Sequence, residues 1–174
     1  MTEQAVKILK LDVAKLVKLL NVALAEEWLA YYQYWIGARL IEGPMRSEVE
    51  AELLKHADEE LGHAVLLADR IIQLEATPLI DPKEWFTQAQ CKYAPPTDTY
   101  IGAILKQNLD SERCAINRYQ EIASITDGTD YVTHQIAVSI LKDELEHEKD
   151  IHDYLRDLQL MKEKFVESCN CEKK

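Results

Sequence analysis

The 174-residue chain has the length of one domain, and its 47% hydrophobic and 29% charged residues are typical of a folded protein. A net charge of −11 disfavours binding to nucleic acid or to an anionic membrane, so we expect no DNA binding. Four cysteines without paired spacings do not indicate a secreted disulfide framework, and no stretch resembles a signal peptide or a membrane span, so we expect a cytoplasmic protein.

Proline and glycine mark the ends of the predicted helices, because proline is excluded from helix interiors. Gly43-Pro44 follows the first helix, and Gly128 ends the third. Ser47 with Glu50 fits a capping box at the start of the second helix, and Asp81-Pro82 fits the start of a short helix inside a long crossover. The long helices are predicted at about 6–41, 47–75, 98–127 and 130–164, followed by a polar tail at 165–174.

Loop lengths predict how these helices are arranged. The first and last pairs of helices are joined by tight loops, whereas the second and third are joined by the crossover at about 77–97. We therefore predict an all-α protein that forms one domain over residues 1–174, a four-helix bundle with one long crossover.

Each predicted long helix carries one glutamate in the middle of its apolar stripe, and two of the helices add a histidine three residues later. These residues are Glu27, Glu60, His63, Glu112, Glu144 and His147. A buried carboxylate costs several kcal/mol unless it is compensated, and four at one level repel one another. Cations between them would remove both costs.

Two divalent cations would balance the four carboxylates, with the two imidazoles neutral. The Glu-x-x-His spacing places both side chains on one helix face, so that they can reach the same metal. This ligand set suits iron or manganese better than zinc, although zinc remains a possible substitute. One such motif alone would more often be a solvated surface pair, but two on apolar stripes favour a dimetal site.

The two halves of the chain repeat this pattern. Glu27 and Glu60 are 33 residues apart, and Glu112 and Glu144 are 32 residues apart. Tyr34 and Tyr119 each follow the first glutamate of a half by seven residues, and they are either core aromatics or hydrogen-bond donors to ligands. His56, one turn before the second glutamate, is interpreted as a buried histidine whose ring nitrogens have hydrogen-bond partners, rather than as a seventh ligand.

The two Glu-x-x-His motifs and the segment from Glu27 to Tyr34 resemble the ferritin-like superfamily, and bacterioferritin in particular, over nearly the whole chain. The resemblance implies a site that oxidises Fe(II) with hydrogen peroxide or O2 and feeds iron into a cage, in oxidative-stress protection. It further implies that Glu27 and His63 hold one iron, that Glu112 and His147 hold the other, and that Glu60 and Glu144 bridge the two. Two Fe per chain are therefore expected.

Two departures from bacterioferritin refine the resemblance. Leu61 stands where that family has its haem-ligating methionine, so no haem is expected. The chain has no room for a fifth helix after the fourth, which resembles the twelve-subunit Dps cages. We therefore expect a dodecameric homo-oligomer.

Two of the cysteines point to a subgroup of these cages. Cys91 in the crossover and Cys114 beside Glu112 occupy the cysteine positions of Dps-like thioferritins, which implies a redox-active pair near the metals. Two small buried hydrophobic residues are the alternative. Cys114 lies about 200° around the helix from Glu112, so it is not expected to bind the same metals. The roles of Cys169 and Cys171 in the tail stay open.

Two other functions remain as alternatives to a ferroxidase cage. A dimetal peroxidase or catalase without storage, similar to rubrerythrin or to manganese catalase, would use the same ligands. A metal-free helical interaction module would not bind Fe(II) tightly.

Overall fold

The computed structural model describes residue 4 and residues 7–171, with side chains described as far as residue 168. Within that range the chain forms five helices and no β-strand, and a short 3-10 turn at Pro82–Glu84 precedes the third helix. The helices are α1 Val13–Leu40, α2 Arg46–Gln73, α3 Trp85–Gln88, α4 Ile101–Thr126 and α5 Tyr131–Cys171. The predicted all-α four-helix bundle with a helix-bearing crossover is confirmed. None of these helices is both long and apolar enough to cross a membrane.

Two hairpins, α1 with α2 and α4 with α5, pack against each other to form the bundle. The crossover returns along α1, where the ring of Trp85 stacks on that of Trp28 with 5.1 Å between centroids. Asp81 accepts a hydrogen bond from the backbone N–H of Lys83 and so begins the 3-10 turn, as the Asp81-Pro82 pair predicts.

The apolar core of the bundle has two large clusters, one toward each end, and a small third cluster of Ala25, Leu29 and Ala89 lies between α1 and the crossover. The first cluster includes Leu16, Leu20, Leu67, Ile71, Tyr119, Ile122 and Ile140. The second includes Tyr34, Ile41, Val49, Leu53, Ile101, Leu105 and Ile151. On every long helix the predicted metal-binding glutamate stands in sequence between the residues of the two clusters. The bundle therefore has an ionisable layer between two apolar clusters.

The first helix begins later than predicted, at Val13 rather than near residue 6. Asp12 accepts a hydrogen bond from the backbone N–H of Lys15 and caps the helix, while Lys10 donates its backbone N–H to Thr129 O. Residues 1–3 and 5–6 lie outside the described part of the chain.

The predicted capping box at Ser47 is wrong. Helix α2 begins at Arg46, and its N-cap is Met45, which has a left-handed φ of 56° and makes no side-chain cap hydrogen bond. The helix starts before Ser47 because the carbonyl of Met45 already accepts a hydrogen bond from the N–H of Val49. The helix ends at Gln73 rather than Glu75, where Glu75 adopts a φ of 60°.

Helix α4 begins at Ile101 rather than near residue 98. The preceding residues are extended because Glu42 donates to the carbonyl of Thr99 and accepts from the N–H of Ile101. This pairing joins the α1–α2 loop to the end of the crossover. The helix ends at Thr126, and Gly128 takes the left-handed conformation with a φ of 63°, as predicted.

The last helix runs to Cys171, so the predicted end at residue 164 is wrong. Residues 165–171 contain neither proline nor glycine, and nothing in the sequence stops the helix there. Lys164 pairs with Glu167, and Ser168 donates its hydroxyl to Phe165 O, so both contacts lie within the added turn. The side chains of Cys169 and Cys171, whose roles the sequence leaves open, lie outside the described residues.

Candidate metal centre

Six ionisable side chains from the four long helices meet in the layer between the two apolar clusters. Each is at most 4% exposed. They are Glu27 on α1, Glu60 and His63 on α2, Glu112 on α4, and Glu144 and His147 on α5. We call these six side chains the dimetal centre. All six sequence-predicted residues are brought together.

The first group of this centre surrounds the Nδ1 atom of His63. That atom lies 3.3 Å from Glu27 Oε2, 3.2 Å from Glu60 Oε2 and 3.3 Å from Glu144 Oε1. The ligand atoms that the four residues offer all lie within 4.8 Å of one another, which is close enough to share one cation.

The second group surrounds the Nδ1 atom of His147. That atom lies 3.3 Å from Glu60 Oε1, 3.6 Å from Glu112 Oε2 and 3.6 Å from Glu144 Oε2. These ligand atoms also lie within 4.8 Å of one another. Glu60 and Glu144 therefore belong to both groups, and each directs one carboxylate oxygen to each group.

Several polar atoms of the centre are buried without a hydrogen-bond partner. They are Glu27 Oε2, Glu112 Oε2, both carboxylate oxygens of Glu144, and His147 Nδ1. A buried polar group without a partner costs about 1–3 kcal/mol, and more when it is charged. The unpartnered atoms face one another across the two groups, so two cations would satisfy them. The donor set of four carboxylates and two imidazoles fits iron or manganese.

The histidines of the centre carry shifted pKa values when no cation is bound. Burial lowers the pKa of both imidazoles, but the surrounding carboxylates outweigh it. The carboxylates, led by Glu144 for His63 and by Glu112 for His147, raise both pKa values well above the usual range. The raised pKa values favour imidazolium ions at both positions when no cation is bound, which balances part of the carboxylate charge.

The carboxylates divide into two kinds. Burial, followed by the charge of Glu60, raises the pKa of Glu27, and burial with the charge of Glu144 does the same for Glu112. Burial also opposes ionisation of Glu60, but the close approach of the two histidine Nδ1 atoms to its two oxygens lowers its pKa below the usual range. We call Glu27 and Glu112 the outer glutamates, because each belongs to one group only. Each outer glutamate thus holds its proton more readily than the shared Glu60.

Metal binding is expected to release protons, because a histidine must be neutral to bind a metal. Since the raised pKa values of His63 and His147 favour their protonated forms at neutral pH, and those of Glu27 and Glu112 are raised as well, loading should release at least about two protons per chain, and affinity should rise with pH. Calorimetric titrations with Mn(II) in buffers of different ionisation enthalpy would count them. Release of no protons would contradict this assignment of charge.

Two tyrosines complete the symmetry of the centre. Tyr119 donates its hydroxyl to Glu27 Oε1, and Tyr34 donates to Glu112 Oε1. Each outer glutamate thus has one oxygen held by a tyrosine and the other facing its histidine. Burial, with the charge of the accepting glutamate, raises the pKa of both phenols, which keeps them protonated donors.

Removing the hydroxyl of one of these tyrosines should weaken metal binding at one of the two groups of the centre. We expect Tyr119→Phe to lower the affinity of the group around His63 by about 10–100-fold, because partners that orient metal ligands contribute that much. Tyr34→Phe should weaken the other group instead. Stepwise Mn(II) titration of both variants tests this, and equal loss at both groups in either variant would contradict it.

Sequence reasoning missed the residues that contact the outer nitrogens of the histidines. Glu59 Oε2 lies 2.9 Å from His147 Nε2, and Asp143 Oδ2 lies 3.5 Å from His63 Nε2. Such carboxylates orient a ligating imidazole. The signal was present, because an acidic residue stands directly before each shared glutamate in the repeated pattern acid-Glu-Leu-x-His.

His56 is buried beside the centre but belongs to neither group. Its ring stacks on that of His147 with 4.0 Å between centroids. Burial lowers the pKa of His56 to about 3, so its imidazole is neutral. His56 is buried as predicted, but the prediction that its ring nitrogens are satisfied is wrong, because neither makes a hydrogen bond.

Cys91 and Cys114 form a disulfide with 5.6 Å between Cα atoms, which ties the crossover to α4. The backbone N–H of Cys91 donates to Glu26 Oε1 over 3.0 Å, and Glu26 directly precedes Glu27 on α1. Arg118 pairs with Glu26 through an Nε–Oε2 distance of 2.9 Å, and both side chains are almost fully buried. One ion pair therefore holds the disulfide against the helix that carries a predicted ligand.

Three comparisons place this fold among known proteins. The family model described as ferritin-like domain matches residues 17–161. A solved structure described as a dodecameric thioferritin, the bacterioferritin-related protein from Bacteroides fragilis, is 56% identical with a TM-score of 0.94. The match covers 95% of this chain and 99% of that one.

Two curated proteins are similar in sequence. The DNA protection during starvation protein of Pyrococcus furiosus is 37% identical, over 79% of this chain and 75% of its own length. The bacterioferritin of Rhodobacter capsulatus is 29% identical, over 77% of this chain and 78% of its own length. Both agree with the resemblance that the motifs indicate.

Proposed function

Since this chain belongs to the ferritin-like family, we propose that it is a ferroxidase that binds two Fe(II) ions at the dimetal centre and oxidises them with hydrogen peroxide or O2. The iron would then be stored, which removes both Fe(II) and peroxide from the cell. One observation carries the proposal. Glu60 and Glu144 each direct one carboxylate oxygen to the first group of ligands and the other oxygen to the second group.

Shared carboxylates hold the two irons side by side, which matters for the reaction with peroxide. Each Fe(II) loses one electron, and the peroxide O–O bond accepts both electrons and two protons, so that two waters form. A single iron supplies only one electron and would release hydroxyl radical. The carboxylates remain anionic ligands for the more positive Fe(III) product, which suits iron in both oxidation states.

The similar thioferritin supports a dodecameric cage of identical subunits for this chain as well. A charge of −11 per chain would attract iron cations to such a cage and disfavour contact with DNA. We therefore propose protection by chemistry on iron and peroxide rather than by coating DNA.

The disulfide is proposed as a redox partner of the centre. When the thiols of Cys91 and Cys114 close the disulfide, they release two electrons and two protons, which would reduce one peroxide to two waters. Glu26 supports this role, because it contacts the backbone of Cys91 and precedes Glu27 on α1.

An anaerobic Fe(II) titration, followed by separate additions of peroxide and O2, tests the function. We expect two Fe(II) bound per chain at the dimetal centre, fast oxidation of two irons per peroxide, and a native mass of twelve subunits. Failure to bind two Fe(II) would overturn the ferroxidase assignment. A discrete dimer that consumes peroxide without retaining iron would instead identify a dimetal peroxidase or catalase.

A further inference from the structure

A second group of potential metal ligands lies between α2 and α5, outside the dimetal centre. His56 Nε2 lies 3.3 Å from Glu52 Oε1 and 3.7 Å from Asp150 Oδ2. The ligand atoms of these three residues lie within 4.8 Å of one another. We infer that Glu52, His56 and Asp150 form a third metal site, which binds one divalent cation per chain.

The state of His56 is the strongest reason for this inference. The side chain is fully buried, and neither its Nδ1 nor its Nε2 atom makes a hydrogen bond. An ordinary core histidine satisfies its ring nitrogens, because an unpartnered buried polar atom destabilises the fold. The Nε2 atom faces two carboxylates, and a cation between the three would give it a partner.

The two carboxylates connect this buried nitrogen to solvent. The side chains of Glu52 and Asp150 are 25% and 27% exposed. Both line a groove of about 250 Å³ whose other walls are Asp153, Tyr154 and Asp157. Three more oxygen-bearing side chains thus stand along the entry, which would draw cations from solution, and water could complete the coordination.

The charge and chemistry of the site suit a divalent cation. Two carboxylates balance a charge of +2, and two oxygens with one imidazole nitrogen are the donors that favour Mn(II) and Fe(II) over softer metals. None of the three residues belongs to the dimetal centre. The third site can therefore fill whether or not that centre is loaded.

Lys55 is the competitor that a cation must displace. Its Nζ atom lies 2.9 Å from the same Glu52 oxygen. The lysine side chain is 50% exposed, and such surface pairs contribute little to stability, so the ammonium group can turn into solvent. A bound metal would then take its place on the carboxylate.

Mn(II) binding to the metal-free protein tests the site, with unbound Mn(II) measured by its electron paramagnetic resonance signal. We expect the wild type to bind one more Mn(II) per chain than Asp150→Asn. Asp157→Asn is the matched control, because it makes the same charge change in the same groove farther from His56. This control should bind as many Mn(II) as the wild type.

Equal stoichiometry in the wild type and Asp150→Asn would overturn the third site, as would the same loss in Asp157→Asn. If the dimetal centre does not bind Mn(II), the number of ions bound per chain falls in all three proteins, but the wild type still binds one more than Asp150→Asn. Failure of the proposed function can therefore be distinguished from failure of the third site. Anomalous scattering from Mn-soaked wild-type crystals provides a test without any variant. A peak in coordination contact with His56 Nε2 supports the site, and its absence when the soak saturates the protein refutes it.

Discussion

Replacing Glu60 with glutamine should abolish fast Fe(II) oxidation, because this side chain supplies one oxygen to each half of the dimetal centre. Loss of a residue that only orients a ligand costs about 10–100-fold in metal affinity, so loss of a shared ligand should cost more than about 100-fold. Both metals should be affected together. Stopped-flow oxidation and anaerobic Fe(II) titration measure the two effects.

Two variants calibrate the Glu60→Gln result. Asp58→Asn makes the same charge change at an exposed position on the same helix, and it should behave as the wild type. Glu27→Gln changes a proposed outer ligand of the first group and should leave one Fe(II) bound at the dimetal centre of each chain. Wild-type oxidation rates in Glu60→Gln would contradict the shared-ligand geometry, whatever the outcome at the outer positions.

Replacing Glu26 with alanine should lower the free energy of unfolding more than any other substitution proposed for this protein. It leaves the guanidinium of Arg118 buried without its main partner, and breaking a buried ion pair costs about 3–5 kcal/mol. It also removes the acceptor of the Gln90 and Cys91 backbone N–H groups, so the disulfide should be reduced faster. Denaturant unfolding and thiol-release kinetics measure the two consequences.

Glu121→Ala is the matched control, because Glu121 pairs with the same Arg118 but its side chain is 53% exposed. Exposed pairs contribute about 0–1 kcal/mol, so this variant should unfold almost as the wild type does. Replacing Glu26 and Arg118 together by leucine should restore part of the stability, since no buried charge is then left unpaired. Equal losses from Glu26→Ala and Glu121→Ala would contradict the buried-pair explanation.

The six residues of the centre could be predicted because their signal is repeated. One buried glutamate in each apolar stripe is unfavourable alone, and the i, i+3 histidines leave little choice of helix face. The pairing of Cys91 with Cys114 was different, because only the family resemblance indicated it. Nothing in the spacing of the cysteines selects that pair among the four.

The error at the start of α4 has a clear physical cause, which is that this helix end depends on a backbone partner far along the chain. The start of α4 is set by pairing of Glu42 with the residues around Thr99, a contact between distant segments. At the start of α2 the left-handed turn at Met45 replaces the side-chain cap that Ser47 suggests. Helix propensity depends on residues that are close in sequence, so it does not include a contact between distant residues such as Glu42 and Thr99.

The separation of the apolar core into two clusters has a consequence for turnover. Each of the two clusters contains residues from all four long helices. The burial of apolar surface that stabilises the fold therefore does not depend on the layer of acids and imidazoles. We therefore expect the bundle to keep its shape when no ion is bound. Metal ions would then enter and leave the proposed centre in repeated cycles without refolding of the protein.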